Sequence, residues 1–326
     1  MGGHSEFENF AQGDQFFDSF AIEPEDDTLG TTGKKSSGLL RPSQFVLGSS
    51  ATSAGQILWI IPQPKTVTPI AYVYDSVGSV FTNAVGSASL TALGDLNDGG
   101  SATGNGACYY DNYLYFARNT DIARYGPLNG SPAFTDSYWV GTLGKAALTH
   151  TTYPSGVAGV FPNHVMKVVN GKLLIADVVG NQGVIHYIKT KKTSVEGDTD
   201  DGSTFNAIDF PYGYWPTAIE KYGEGAVIAI WEGDNNIIRK SRAGIIFWDT
   251  VNTTTYDRTI KDEFPDPYIS ALYNANGILY IFSGEAGDST VRIMRLTGGY
   301  SFEQVQYIQQ ASLPYPGGVD GLLNKI

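Results

Sequence analysis

An apolar segment, a tight turn bearing Gly or Asn, and a second apolar segment recur five times along this chain. The units are Ser53-Ala54-Gly55-Gln56-Ile57-Leu58-Trp59-Ile60, Tyr110-Asp111-Asn112-Tyr113-Leu114-Tyr115-Phe116, Val169-Asn170-Gly171-Lys172-Leu173-Leu174-Ile175, Gly223-Glu224-Gly225-Ala226-Val227-Ile228-Ala229 and Ala275-Asn276-Gly277-Ile278-Leu279-Tyr280-Ile281. Their turns fall at positions 55, 112, 171, 225 and 277, so the spacings are 57, 59, 54 and 52. Asn-Gly between apolar runs predicts a hairpin, because a two-residue turn of this kind needs positive φ. A fixed period of this length means a repeat architecture.

Each unit continues in the same way. A third apolar strand is expected over 70–74, 122–125, 184–188, 245–248 and 291–295, and a more polar fourth over 79–83, 138–143, 205–210, 256–261 and 302–308. Four strands per repeat, the last polar, predict an all-β chain folded as a β-propeller of about five four-stranded blades. Six or more blades, cut short, is the alternative. Pro162, Pro216 and Pro267 stand before inner strands, and Pro316-Gly317-Gly318-Val319 matches them. This predicts ring closure by residues 316–324 beside Ile57–Ile61. Phe45-Val46-Leu47 is a second candidate for the inner strand of the first blade.

Composition agrees: 39 Gly, 20 Tyr and 16 Phe in 326 residues, with only 17% charged, is a β composition. The net charge of −12 argues against a nucleic-acid partner, which needs a basic face, and against an anionic membrane surface. No apolar run is long enough for membrane insertion by a helix. No basic region followed by an apolar stretch opens the chain, so no signal peptide is expected. Cys108 is the single cysteine, which excludes an intramolecular disulfide, and its apolar setting predicts a buried small hydrophobe.

Residues 1–42 differ from the propeller expected over 43–326. Eight acidic residues precede the first Lys, and Phe7, Phe10, Phe16, Phe17 and Phe20 are scattered among them. Ser5 and Glu8 have capping-box spacing for a short helix, and a second would end before Pro24. Residues 28–37 read as a linker. Exposed Phe at this density must pack on something. The arm docks either on its own domain or on a neighbouring subunit.

The chemistry-bearing residues are sparse. Asp200-Asp201-Gly202-Ser203-Thr204-Phe205 resembles the Asp box of sialidase-type propellers, with Asp198 and Phe205 in place of its Ser and Trp. In that family the box is a turn away from the active site, so it implies fold and not activity. Asp198–Gly202 and Asp95–Gly99 are acidic turns without the terminal Glu of a calcium loop. His4, His150, His164 and His186 lack zinc spacing. Neither a metal nor a cofactor is expected. His164 begins an inner strand near the channel mouth and reads as structural. Glycosidases need paired carboxylates. Glu220 and Asp320 are the inner-strand candidates, with nothing to fix their separation. The strongest ligand candidate is aromatic: Tyr212, Tyr214 and Trp215 between two blades, with Trp231, Glu232 and Asp234 entering a loop on the same face. Aromatic planes beside carboxylates suit sugar rings.

The stretch Ser36-Ser37-Gly38-Leu39-Leu40-Arg41-Pro42-Ser43-Gln44-Phe45, together with the blade-like repeats from Gln56, resembles uncharacterised β-propeller proteins of tailed-phage particles. The resemblance implies a virion component of tail, nozzle or fibre type, non-enzymatic, structural or receptor- or glycan-binding. It implies contact with other virion proteins or with copies of itself through the arm, and with a host surface glycan. A glycan-acting hydrolase and an intracellular protein-interaction scaffold are the alternatives.

Overall fold

The computed structural model describes residues 22–24, 37–39, 57–63, 70–84, 90–96, 106–118, 120–148, 164–180, 182–189, 204–232, 242–252, 255–256, 258–260, 266, 268–284, 290–296 and 302–309. The chain forms two compact units, Met1–Ser50 and Ala51–Ile326. In the first unit, β1 (Ile22–Pro24) pairs antiparallel with β2 (Ser37–Leu39), Pro24 opposite Ser37. The second short helix expected to end before Pro24 does not take in Ile22 and Glu23, which are strand; the rest of its span lies outside the described residues. The five arm phenylalanines lie outside the described residues.

The second unit holds five four-stranded antiparallel sheets, arranged in a ring as a five-bladed propeller. The first blade is β3 (Ile57–Pro62), β4 (Ile70–Asp75), β5 (Ser79–Ala84) and β6 (Thr91–Asp95). The second is β7 (Gly106–Tyr110), β8 (Tyr113–Ala117), β9 (Ile122–Gly126) and β10 (Ala133–Thr135). The third is β11 (Met166–Val169), β12 (Lys172–Val179), β13 (Gln182–Ile188) and β14 (Thr204–Tyr212). The fourth is β15 (Tyr214–Tyr222), β16 (Gly225–Glu232), β17 (Arg242–Trp248) and β18 (Arg258–Ile260). The fifth is β19 (Tyr268–Ala275), β20 (Ile278–Gly284), β21 (Thr290–Leu296) and β22 (Phe302–Gln309). Contacts run from β3 to β7, β7 to β11, β11 to β15 and β15 to β19, so the first strand of each blade is the innermost.

Four first turns are two-residue hairpins, closed by the pairs Tyr110–Tyr113, Val169–Lys172, Tyr222–Gly225 and Ala275–Ile278. Asp111, Asn112, Asn170, Gly171, Asn276 and Gly277 all have positive φ, as type I′ turns require. The first blade differs from the expectation. Ile57–Pro62 is its first strand rather than its second, and Gly55 lies outside the described residues, as do 310–326. Its tight turn is Asp75–Ser79, where Asp75 Oδ1 accepts from the Val77 and Ser79 amides at 3.1 and 2.7 Å. Its fourth strand is β6. The second blade's fourth strand is β10. The expected strand at 138–143 is instead a π-helical turn, Tyr138–Thr142, whose Trp139 is fully buried and donates Nε1–H to Ala146 O at 2.8 Å.

The core is distributed between blades. Leu114 and Phe116 pack with Tyr74 of the first blade, whereas Tyr115 packs with Leu173 and Ile175 of the third. Leu174 and Ala176 instead join Ile228 and Ile246 of the fourth blade, and Val227 and Ile245 join Leu279 and Ile281 of the fifth. Successive side chains on a strand point to opposite faces, and here both faces are covered, so the middle strands read as continuous apolar runs. Hydrogen bonds stitch the first turns around one end of the ring. Tyr110 Oη donates to Gly171 O at 2.6 Å, Asn170 Nδ2 to Glu224 O at 2.6 Å, and Asn274 Nδ2 to Lys221 O at 2.8 Å.

Candidate functional site

Strand alternation decides where the sequence-predicted aromatics go. β14 and β15 are joined by a single residue, Gly213, whose φ of 85° favours glycine. Trp215 is therefore a strand residue, paired with Trp231 across β15 and β16, and the two rings meet edge to face at 5.2 Å and 63°. Both are buried, as is Tyr214, which pairs with Glu232. Trp215 and Trp231 thus brace the fourth blade. Asp234 lies outside the described residues. Tyr212 stands apart, with 77% of its surface exposed. Its turn is held tightly: Gln182 Nε2 donates to Phe210 O at 2.7 Å, and Gly183 lies so close that a Cβ there would meet Tyr214 O at 2.2 Å.

The same end of the ring carries two polar clusters that the sequence reading missed. Asp177 and Ser283 each lie six residues beyond their turn glycines, Gly171 and Gly277. In the third blade His164, Asp177 and His186 are all fully buried. Asp177 Oδ1 accepts from Val178 N at 2.8 Å, and Oδ2 lies 3.2 Å from His186 Nε2. His164 Nδ1 is 3.1 Å from Ala176 O and 3.6 Å from Asp177 Oδ1. A carbonyl and a carboxylate only accept, so the facing nitrogens carry the protons. In the fifth blade Ser283 Oγ donates to Asp266 Oδ2 at 2.6 Å, and Arg292 Nε donates to the same oxygen at 3.0 Å. Each cluster ties the segment entering a blade to that blade's middle strands. The available signal was a polar residue breaking an apolar strand at one fixed offset from the turn.

Near the axis, Cys108, Lys167, Glu220 and Tyr273 occupy the same register on four inner strands, each the third pair from its turn. Lys167 Nζ donates to Glu220 Oε2 at 2.6 Å, and Glu220 Oε1 accepts from Lys221 N at 2.9 Å. Both carboxylate oxygens are engaged as acceptors. Burial pushes the Cys108 thiol up to about 11, with nearby Lys167 pulling it partly back. It is a protonated thiol at neutral pH, not a ready nucleophile. Asp320 lies outside the described residues, as do His4, His150, the acidic turn at 198–202 and 97–99 of the other. The Asp-box-like stretch falls between β13 and β14, with only its last two residues described, as strand backbone. Among the described residues no group of three His, Cys, Asp or Glu side chains is placed to hold a metal ion.

No family model and no curated protein matches the chain. Solved structures do. A Lactobacillus plantarum protein is 12% identical, with a TM-score of 0.50 over 78% of this chain and 71% of that one. The Pan2 WD40 domain of Neurospora crassa is 11% identical, with a TM-score of 0.43 over 77% and 66%. An exo-beta-1,3-galactanase of Phanerochaete chrysosporium is 8% identical, with a TM-score of 0.43 over 76% and 62%. At these identities the likeness concerns the fold alone.

Proposed function

We propose that this chain is a non-enzymatic interaction propeller, a structural or receptor- or glycan-binding component of a tailed-phage virion. The observation that carries the binding part is Tyr212, an exposed aromatic at the end of β14 beside a one-residue turn, where Gln182 Nε2 donates to Phe210 O and Tyr214 pairs with Glu232. Such an anchor supplies contact area without a large ordering cost. Glu220, with both oxygens committed, supports binding over turnover. The particle part is supported by the resemblance at Ser36–Phe45 and by the acidic arm with its five phenylalanines. The arm would engage other virion proteins or further copies of this chain, and the propeller a host surface glycan.

Light scattering and host-cell adsorption test the two parts separately. The triple variant Phe16→Ser, Phe17→Ser, Phe20→Ser is expected to lose self-association or incorporation into particles while the propeller stays folded. Tyr212→Ala is expected to lose adsorption to host cells or to their purified polysaccharide. Release of reducing sugar from that polysaccharide by the wild-type chain would overturn the non-enzymatic reading.

A further inference from the structure

We propose that Arg124 and the tyrosines around it form a binding site for a carboxylate, and that the ligand that fits is a sugar acid. Arg124 stands on β9, the third strand of the second blade, paired with Tyr115 of β8 and Thr135 of β10. Its neighbour Ala123 joins the core shared with the first blade, so Arg124 faces the third. Its Cζ lies 4.2 Å from the centroid of the Tyr113 ring and 4.0 Å from that of Tyr138. The guanidinium also donates to the Tyr115 hydroxyl. Tyr115 meets Tyr138 edge to face at 5.7 Å and lies 6.5 Å from Tyr113, and all three rings are buried. Three packed tyrosines thus hold one cation in place.

This cation lacks a counterion. Among the described residues Lys167 meets Glu220 at 2.6 Å and Arg292 meets Asp266 at 3.0 Å, but no carboxylate pairs with Arg124. Asp121, three residues before it, is taken up by the amides of Ile122 and Val140, at 2.7 and 3.0 Å, and by the Ser137 hydroxyl. Tyr115 does not substitute. Burial pushes its hydroxyl well above the ordinary tyrosine range, so it stays a neutral phenol. Arg124 Nε is buried with no hydrogen-bond partner. A charge left unpaired and a buried donor left unmet both cost stability. The chain has 33 acidic residues against 21 Lys and Arg, so the gap does not come from a shortage of carboxylates. An anion from outside the chain fills it.

The geometry sets the class of that anion. Rings lie against the guanidinium and Nε is closed off, while the residue as a whole is half-buried. The terminal N–H groups are therefore what a ligand meets. They lie in one plane and match the two oxygens of a carboxylate. The rings fix the side chain beforehand, so binding orders little that was free. The net charge of −12 repels a polyanion. One carboxylate on an otherwise neutral frame fits better than an acidic peptide, and a sugar acid is such a ligand. The sugar rests on the glycan-binding reading proposed above; the carboxylate stands without it.

Titration of the full chain with glucuronate, followed by the NMR signal of Arg124 Nε–H, tests this. The signal is identified by its loss in Arg124→Lys. Glucuronate should move it saturably and glucose should not. Arg124→Lys keeps the charge but not the planar fork, so binding read at the Thr135 amide should weaken at least about tenfold. If that variant does not fold, the wild-type titration decides alone. Absence of a saturable shift with glucuronate, or an equal shift with glucose, overturns the proposal. Tighter binding of inorganic phosphate or of an oligoglutamate peptide than of glucuronate overturns the sugar-acid assignment. Tyr212→Ala, on the third blade, should leave the titration unchanged. A successful titration beside intact host adsorption in Tyr212→Ala supports this site and counts against the reading at Tyr212 alone.

Discussion

Asp177→Asn should be among the most destabilising isosteric changes in this chain. The side chain is fully buried, and its two oxygens meet Val178 N at 2.8 Å, His186 Nε2 at 3.2 Å and, at the longer 3.6 Å, His164 Nδ1. An amide of the same shape supplies one acceptor oxygen and turns two N–H donors toward a donor already present. Charge-assisted bonds contribute about 1.5–3 kcal/mol each, and breaking a buried charged network typically costs about 3–5 kcal/mol. The expected loss is therefore about 3 kcal/mol or more, nearly as large as for Asp177→Ala. Urea denaturation followed by tryptophan fluorescence measures it, and Trp139, its ring 5.7 Å from His186 and tilted by 34°, reports locally. A cost below about 1 kcal/mol would refute the reasoning. It would mean that His186 exchanges tautomers freely and that the carboxylate is not what holds the cluster.

Four further outcomes are expected. Asn170→Gly keeps the positive-φ turn but removes the Nδ2 bonds to Glu224 O and Thr250 Oγ1, so urea denaturation should show a loss of about 1–2 kcal/mol. Trp215→Ala should cost about 3–5 kcal/mol because the ring is buried, whereas Tyr212→Ala should stay within about 0.5 kcal/mol. Cys108 should be alkylated by iodoacetamide at pH 8 about two orders of magnitude more slowly in the native protein than in urea, since so little thiolate is present. The amides of Asn252 and Val251 hold the Asp249 carboxyl below its ordinary 3.8, so its NMR titration midpoint should fall under that value. The sign follows: its stabilising contribution is present above about pH 4 and is lost as pH falls through the lowered midpoint.

What the residues disclosed follows how local each signal is. The turns at 112, 171 and 277 were legible because positive φ at two consecutive positions nearly demands Asn, Asp or Gly. Strands such as β12, β13 and β16 were legible because both faces are covered and the apolar run is unbroken. β10 is only three residues long, too short to display alternation, so the aromatic stretch at 138–143 reads as the fourth strand in its place. In the first blade the apolar run Ile57–Ile61 reads as a second strand because a glycine precedes it, whereas the sheet has it first, so the whole blade shifts by one strand. The ligand site was the least legible part. Trp215 and Trp231 looked like a platform because the sequence around them reads as a loop, and only the cross-strand register reveals them as each other's partner. Asp177 and Ser283 carry no recognised motif, and their roles depend on residues from preceding segments, His164 and Asp266.

The division of each middle strand between two junction cores has a thermodynamic consequence. An open array of repeats frays from its ends, because a terminal unit has one neighbour while an interior unit has two. Here the third blade is coupled on both faces, through Leu173 and Ile175 to one side and Leu174 and Ala176 to the other. It cannot open without stripping both of its neighbours. Fraying is therefore confined to the single joint between the fifth and first blades, and the free energy of local opening should climb with each blade away from it, reaching its maximum on the far side of the ring.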